Sequence, residues 1–157
     1  MSKIFIVSIA VVVLFFGAVL FSKATQPKEP TIGTQMADQG RKHIGRGEAH
    51  EPYNSDLPVS GPHYADSSSP TNWGIHDEEL PSEVLIHNME HGGVVVTYRP
   101  DLPADQIKKL KELFNSPYSN NKFKPIKAIV IPRAENKSPI VMGAWRYVMN
   151  LQQYNEK

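Results

Sequence analysis

The longest apolar pattern in the 157-residue chain runs from Ile4 to Phe21 and is interrupted only by Ser8 and Gly17. Its 18 residues are just long enough to cross a bilayer as a helix. A cleavable signal peptide has a shorter apolar region, of about 7–15 residues, although Ser22-Lys23-Ala24 offers small residues at the two positions that a signal peptidase reads. The pattern favours an uncleaved N-terminal transmembrane helix over a signal peptide. In either case Lys3 stays in the cytoplasm and the rest of the chain is exported.

Strand patterns occur in the second half of the chain. Gly93–Tyr98 is β-branched and aromatic and lies between Gly92 and Pro100, which predicts a buried strand. Lys127–Ile131 predicts a second short strand. A third strand is predicted around Ile140–Tyr147, and this segment could become helical towards its end.

Two segments have helical patterns. Leu102–Phe114 places apolar residues three and four positions apart with lysines between them, which predicts an amphipathic helix. Glu83–His91 is predicted as a short helix, although Val84-Leu85-Ile86 could instead be a strand that leads into a hairpin. These elements predict an α+β fold with a small antiparallel or mixed sheet, one amphipathic helix and a long irregular N-terminal lobe, preceded by one N-terminal transmembrane helix.

The segment between the apolar start and the sheet shows no regular period. Residues 23–39 carry two prolines and a glycine among polar residues and predict a flexible tether. Residues 40–50 are too rich in glycine for a regular element, and Tyr53–Trp73 is a long stretch of turn-forming residues whose aromatic side chains indicate an ordered loop. The predicted organisation is a membrane anchor or signal peptide at 1–22, a tether at 23–39 and an exported globular domain at 40–157.

The composition limits the kinds of partner and of metal site that the chain can have. The formal net charge is only +1, which gives no indication of a basic surface that would bind nucleic acid. The chain has no cysteine, which excludes disulfides, thiolate metal sites and cysteine nucleophiles. Any metal site must therefore use histidine, carboxylate, methionine or main-chain oxygen as ligands.

The strongest chemical pattern is His87-Asn88-Met89-Glu90-His91-Gly92-Gly93. In a helix, His87 and His91 would lie one turn apart on the same face, where two ring nitrogens can reach one ion. The letters also fit H-x-x-E-H, a zinc motif in which the glutamate acts as a base. The simpler interpretation is an ordinary helix end or turn that is capped by a glycine.

Two further histidines are candidate ligands. His63 follows Ser60-Gly61-Pro62, a stiff turn that suits a metal ligand and equally suits a histidine bonded to a carbonyl group. His43 lies in the glycine-rich stretch, where a solvated loop histidine is the simpler interpretation. The predicted metal ligands are His63, His87 and His91, with His43 as a fourth and Glu90 as a weak ligand or an acceptor that orients one imidazole.

Imidazole ligands suit a copper or zinc ion, which is the predicted cofactor. The thioethers of Met89, Met142 and Met149 would favour copper(I), although packing in an apolar core is the commoner use of methionine.

Several motifs occur in a fixed order. They are Gly40-Arg41-x-His43, Tyr53, Ser60-Gly61-Pro62-His63-Tyr64, Trp73-Gly74, His87-Asn88-x-Glu90-His91-Gly92-Gly93 with a valine-rich strand after it, and Ala144-Trp145. Together they resemble the bacterial family known as domain of unknown function 3105, whose members have an N-terminal membrane segment and one small exported domain. The resemblance covers Gly40 to Trp145 and implies no activity. It includes His43, His63, His87, Glu90 and His91 and leaves out His50 and His76. The chain departs from the family at Arg146, where a glycine is commoner.

Three functions fit these observations. The first is an exported metal-binding protein that acts in metal handling or assembly. The second is a metal-dependent hydrolase in which Glu90 activates a bound water, although the glycines after His91 end any helix at once and enzymes with this motif are far larger. The third is a membrane-tethered interaction or assembly factor with structural histidines. The predicted partners are the lipid bilayer, through the N-terminal helix, and a membrane protein.

The metal hypothesis makes a geometric prediction. The ring nitrogens of His63, His87 and His91 should converge to within about 3–4 Å of one another, as ligands about 2.0–2.1 Å from a shared ion require. A separation of more than about 10 Å between His63 and the other two would leave the histidines with structural roles. The predicted location is the bacterial cytoplasmic membrane, with a single span and the C-terminal domain outside the cytoplasm.

Overall fold

The computed structural model describes residues 32–115 and 126–155. The predicted transmembrane helix at Ile4–Phe21 lies outside this range. Among the described residues, no helix is both long enough and apolar enough to cross a membrane. The strands of the described part are β1 (Thr34–Gln35), β2 (His43–Ile44), β3 (His63–Tyr64), β4 (Gly74–Ile75), β5 (Val94–Tyr98), β6 (Ala128–Pro132), β7 (Ile140–Ala144) and β8 (Tyr147–Leu151), and its helices are α1 (Ser82–Glu90) and α2 (Ala104–Asn115).

Six strands form one mixed sheet in the order β1-β8-β7-β5-β6-β4. β5 pairs in parallel with β6 and antiparallel with β7, so that Val96 lies between Val130 and Met142. α2 lies in the connection between β5 and β6, because parallel neighbours need a long crossover. The predicted α+β fold with a mixed sheet is confirmed. The fold description counted one amphipathic helix, and the structure has a second, α1, of nine residues, where Glu83–His91 was predicted as a short helix. The alternative of a strand at Val84-Leu85-Ile86 is wrong.

The central strands are buried on both faces, which explains their almost continuous apolar sequence. Alternate residues point to opposite sides of the sheet. One face packs against α1 and the N-terminal lobe in a cluster of Leu57, Val59, Leu85, Ile86, Met89, Val95, Ile129, Ile131, Val141 and Val148. The other packs against α2 in a cluster of Val96, Tyr98, Leu102, Leu110, Val130 and Ile140. Each fully buried side chain of this kind stabilises the fold by about 1.5–3 kcal/mol.

The N-terminal lobe is largely irregular, as predicted, but it is tied firmly to the sheet. Leu57 and Val59 are fully buried in the core. β1 pairs with β8, and the main-chain N–H of Met36 donates to the carbonyl of Arg146 at 2.8 Å. The last residues of the stretch predicted as a tether therefore belong to the folded domain.

A buried arginine holds the same lobe at the end of β6. Nη1 of Arg133 lies 2.6 Å from Oδ1 of Asp56 and donates to Oδ1 of Asn136 at 2.9 Å. Asn136 in turn donates to the hydroxyl of Thr97 on β5 at 2.9 Å. Because the charge of Arg133 is paired and hydrogen-bonded, its burial is tolerated and it fixes the loop that leads into Leu57.

The last segment of the chain differs from the prediction. The single strand predicted around Ile140–Tyr147 is two strands, because Ala144 and Tyr147 are paired neighbours in a β7–β8 hairpin, and the helical end that was left open does not form. Its turn places Arg146 at a φ of 65°, a conformation that favours glycine. This explains why a glycine suits the position at which the chain departs from the family that it resembles.

α1 ends at Glu90, and the chain then turns directly into β5. Gly92 has a φ of 80° and its N–H donates to the carbonyl of Met89 at 3.0 Å, as at many helix ends. Gly93 lies directly under the ring of Trp73, so that a Cβ atom there would come within 2.4 Å of the ring and 2.9 Å of the carbonyl oxygen of Asn88. The second glycine is therefore required by close packing.

We predict that Gly93→Ala lowers the free energy of unfolding by about 1–3 kcal/mol, because the ring of Trp73 must move to admit the methyl group. The measurement is urea denaturation of the variant beside the parent protein. Gly45→Ala is the control, since a Cβ atom there would meet only Glu48 at 3.9 Å. The control should change stability by no more than about 0.5 kcal/mol. Equal stabilities of the two variants would contradict the packing argument.

Candidate metal centre

The irregular lobe brings two histidines side by side through a short parallel strand pair. In the β2–β3 ladder, His43 is the register partner of His63. The N–H of His63 donates to the carbonyl of Lys42 at 2.9 Å, and the N–H of Gly61 donates to that of Gly40 at 3.0 Å. Residues 20 positions apart in the sequence therefore present their imidazoles at the same place.

His63 is fully buried and its ring is fixed on both sides. Nδ1 lies 2.8 Å from the carbonyl oxygen of Gly61, and Nε2 lies 3.1 Å from Oε2 of Glu90. Gly61 has a φ of 123°, and a Cβ atom there would meet the ring of Tyr53 at 3.0 Å. The hydroxyl of Tyr53 donates to the carbonyl of Pro62 at 2.5 Å. The tight turn before His63 thus orients its imidazole towards α1.

α1 supplies the other half of the site. His87 is buried, with Nδ1 at 2.5 Å from the carbonyl oxygen of Tyr64 and 3.3 Å from the hydroxyl of Ser69. Asn88 pins the preceding loop to the helix, since its side chain accepts from the N–H of Thr71 at 3.0 Å and donates to its carbonyl at 2.9 Å. The helix and the loops that carry its partners are therefore held as one unit.

Four side chains form a group that could hold a metal ion. One ligand atom from each of His43, His63, His87 and Glu90 lies within 4.8 Å of all the others. Oε2 of Glu90 is 3.1 Å from Nε2 of His63 and 3.6 Å from Nε2 of His43. The ring centre of His87 lies 5.1 Å from that of His63 and 5.4 Å from that of His43.

His91 lies at the edge of this group. Its Nε2 is 3.1 Å from Nε2 of His87, and the two rings are stacked with centres 5.0 Å apart. The two histidines of the motif therefore meet as their spacing predicts, but the group of four includes Glu90 in place of His91. His43, first considered a fourth ligand, lies inside the group.

The electrostatics of the site favour an ionised carboxylate at Glu90 and a neutral imidazole at His87. Burial raises the pKa of Glu90, but the charge and hydrogen bonds of His63 and His43 outweigh it, so that the pKa lies below its ordinary value. Burial lowers the pKa of His87, and the neighbouring imidazoles add to this effect, although the Tyr64 carbonyl acts in the opposite direction. A neutral ring and an ionised carboxylate are the forms that bind metal.

The other histidines of the described part and two of the methionines lie elsewhere. His50 is bonded to the carbonyl of Glu51 at 2.8 Å, and His76 to that of Asn72 at 2.9 Å. Met89 is fully buried in the core, and Met142 packs against the cluster beneath α2. The two imidazoles have hydrogen-bonding roles away from the group of four, that of His50 also reaching Oε1 of Glu83 at 3.3 Å, and the two thioethers pack among apolar residues.

Two neighbours of the site were noted in the sequence only as motif positions, without a role at the site. The ring of Trp145, in the β7–β8 turn, meets the ring of His63 edge to face with centres 6.4 Å apart. The guanidinium of Arg41 stacks over the Trp145 ring, 4.8 Å from the ring centre. Nε of Arg41 is 3.9 Å from Oε1 of Glu90. Only the fold brings these residues together, because Trp145 lies far from the histidines in the chain.

A family model described as "Protein of unknown function (DUF3105)" matches residues 46–157, which is more than half of the chain. The matched range includes His63, His87, Glu90 and His91 and begins three residues after His43. The comparison with curated proteins found no match, and neither did the comparison with solved structures.

We predict that the imidazole of His87 is the Nδ1–H tautomer at neutral pH, because Nδ1 lies against the carbonyl oxygen of Tyr64 and must donate to it. Long-range ¹H–¹⁵N NMR correlations distinguish the two ring nitrogens. His76 is an internal control with the opposite expectation, because its Nε2 faces a carbonyl oxygen and must carry the proton. An Nε2–H tautomer at His87 would show that the hydrogen bond to Tyr64 does not form.

Proposed function

The chain belongs to the DUF3105 family of proteins of unknown function, and we propose that its folded domain binds one metal ion through His43, His63, His87 and Glu90. We further propose that the domain acts in metal handling or metal-centre assembly outside the cytoplasm. The first proposal concerns the site itself and the second concerns its use, so each is tested separately below.

The strongest support for a metal site is the way in which main-chain carbonyls hold two buried imidazoles. His63 and His87 each place Nδ1 against a carbonyl oxygen, at 2.8 and 2.5 Å. Such a bond fixes the tautomer and leaves Nε2 as the ligand atom, which is the usual arrangement of metal-binding histidines. Nε2 of His63 lies 3.1 Å from Oε2 of Glu90, and Nε2 of His87 lies 3.1 Å from Nε2 of His91 at the edge of the same group.

The spacing of the ligand atoms suits a first-row metal. Ligands about 2.0–2.1 Å from an ion in tetrahedral geometry lie about 3.3–3.4 Å apart. Oε2 of Glu90 lies 3.1 Å from Nε2 of His63 and 3.6 Å from Nε2 of His43, one distance just below this range and one just above it. The widest separation in the group, up to 4.8 Å, would contract when an ion is bound.

The donor set favours zinc or copper(II) over copper(I). Three imidazole nitrogens and one carboxylate oxygen are borderline and hard ligands, whereas copper(I) prefers thioether or thiolate sulfur. Met89 lies in the apolar core, so it offers no sulfur to this group. The proposed cofactor is therefore a zinc or copper ion, with copper in its divalent state.

Metal binding at this site should release protons. Nδ1 of His63 is engaged with a carbonyl, so the bond between Nε2 and the carboxylate of Glu90 needs a proton on one of these two atoms. A metal ion takes the place of that proton. The affinity should therefore decrease as the pH falls through about 6.5, the ordinary pKa of histidine.

The hydrolase hypothesis receives less support. Glu90 would have to hold a water molecule as a general base. Its Oε2 instead faces two imidazoles, and its Oε1 faces Arg41 at 3.9 Å. A carboxylate placed in this way is better suited to binding a metal, and no catalytic role is proposed for it.

We predict that the full-length protein in detergent binds one zinc or copper(II) ion, measured by calorimetry and by metal analysis after dialysis. His87→Ala and His43→Ala should weaken binding by roughly tenfold or more, because each removes a ligand. His43 is 55% exposed, so its removal tests the site without disturbing the core. His91→Ala should keep one ion per chain, since His91 lies outside the group of four.

His76→Ala is the matched control and should bind like the parent protein, since the half-buried ring of His76 lies outside the group of four and hydrogen-bonds to the carbonyl of Asn72. A parent protein that binds no metal would leave the histidines as a hydrogen-bond network. The interaction or assembly hypothesis, with a membrane protein as the partner, would then lead.

The proposed location rests on the apolar run Ile4–Phe21, which would anchor the domain in the bilayer. We predict that the protein stays in the membrane fraction after a high-salt wash. A reporter that works only outside the cytoplasm should be active when fused after Lys157. A soluble product that begins at Thr25 would identify a cleaved signal peptide, and a silent reporter would overturn the proposal of export.

A further inference from the structure

Arg41 is held beside the candidate metal centre by stacking on an aromatic ring. Its guanidinium lies 4.8 Å from the centre of the Trp145 ring, within the range of a cation–π contact. The ring of Trp145 is itself placed by its edge contact with His63 and by packing against the core. The guanidinium therefore has a defined position although its side chain is 60% exposed.

The hydrogen-bonding capacity of this guanidinium is unused within residues 32–115 and 126–155. Its polar contact there is with Oε1 of Glu90 at 3.9 Å, which is too long for a hydrogen bond. Oε2 of the same carboxylate faces His63 and His43. The N–H donors of Arg41 thus lie next to the candidate metal ligands but form no hydrogen bond with them.

Arg46, in the same lobe, is an arginine with a structural role and serves as a comparison. It also stacks on an aromatic ring, with its guanidinium 4.9 Å from the centre of the Tyr64 ring. Its donors are occupied, because Nε lies 2.7 Å from Oδ2 of Asp66 and Nη2 lies 2.6 Å from the hydroxyl of Ser68. The contrast shows that, among the described residues of this lobe, the guanidinium of Arg41 keeps N–H donors available for a ligand.

The charge of the site and its exposure both favour an anion next to Arg41. A divalent ion bound to neutral imidazoles and to Glu90 keeps an excess of positive charge, and the guanidinium adds to it. His63 is fully buried, whereas His43 is 55% exposed, so the group is open to solvent at His43, two residues along the chain from Arg41. A planar guanidinium is well shaped for two parallel hydrogen bonds to an oxyanion.

We propose that Arg41 and the metal ion together form a subsite for an oxyanion, either a carboxylate or a phosphate group, which binds the ion through one oxygen and Arg41 through the others. This inference rests on the proposed metal site and adds the chemical class of its ligand. Such a ligand would reach the ion from the exposed face, past His43.

The test uses cobalt(II) as a coloured probe in the full-length protein in detergent. Its visible spectrum is first titrated with the metal and then, at constant ionic strength, with inorganic phosphate, acetate or chloride. Phosphate or acetate should change the spectrum at a lower concentration than chloride, and the more effective of the two identifies the source of the oxyanion. Arg41→Gln should raise the dissociation constant of that oxyanion by roughly tenfold or more, the loss expected for a charge-assisted hydrogen bond.

Arg46→Gln is the matched control and should leave both titrations unchanged. Arg41→Lys keeps the charge but not the planar geometry, and should give an intermediate affinity for the oxyanion with the same cobalt stoichiometry. Equal oxyanion affinities of the parent and Arg41→Gln would overturn the proposal, and so would loss of cobalt binding in Arg41→Gln. Cobalt that fails to bind the parent protein refutes the metal site itself, whereas bound cobalt with no response to phosphate or acetate refutes only the oxyanion subsite.

Discussion

The complete burial of the His63 imidazole is the constraint on which the candidate site depends. A buried ring needs a partner for each of its nitrogens, and here one partner is the carbonyl of Gly61 and the other is Glu90. The first partner requires the tight turn that a glycine allows, and the second requires α1 to end within reach of the lobe. The irregular lobe and the helix are thus specified together, although they lie far apart in the sequence.

Much of the fold follows from the apolar pattern. β5 and β6 were predicted within one residue, and α2 within two, because continuous apolar runs and a strong helical period are local signals. The β7–β8 hairpin was missed because its turn uses Arg146 in a glycine-like conformation, so the residue types give no turn signal.

The site was only partly predictable for a related reason. The spacing of His87 and His91 correctly brings their rings together, since helix geometry fixes neighbours four residues apart. The β2–β3 pairing places His43 next to His63, and it depends on main-chain hydrogen bonds that leave no side-chain pattern in the sequence. The contact between Arg41 and Trp145 could not be predicted, because the two residues lie near opposite ends of the folded domain's sequence.

The way in which the chain enters the sheet has a mechanical consequence. β1 pairs with only two residues of β8, Tyr147 and Val148, and these come directly after the turn that carries Trp145. Tension applied to the chain ahead of Thr34 therefore acts first on this short pairing and reaches the long central strands only after it has separated. A domain pulled from its N-terminal side would yield at the edge nearest the Trp145 turn, while the apolar core still resisted the load.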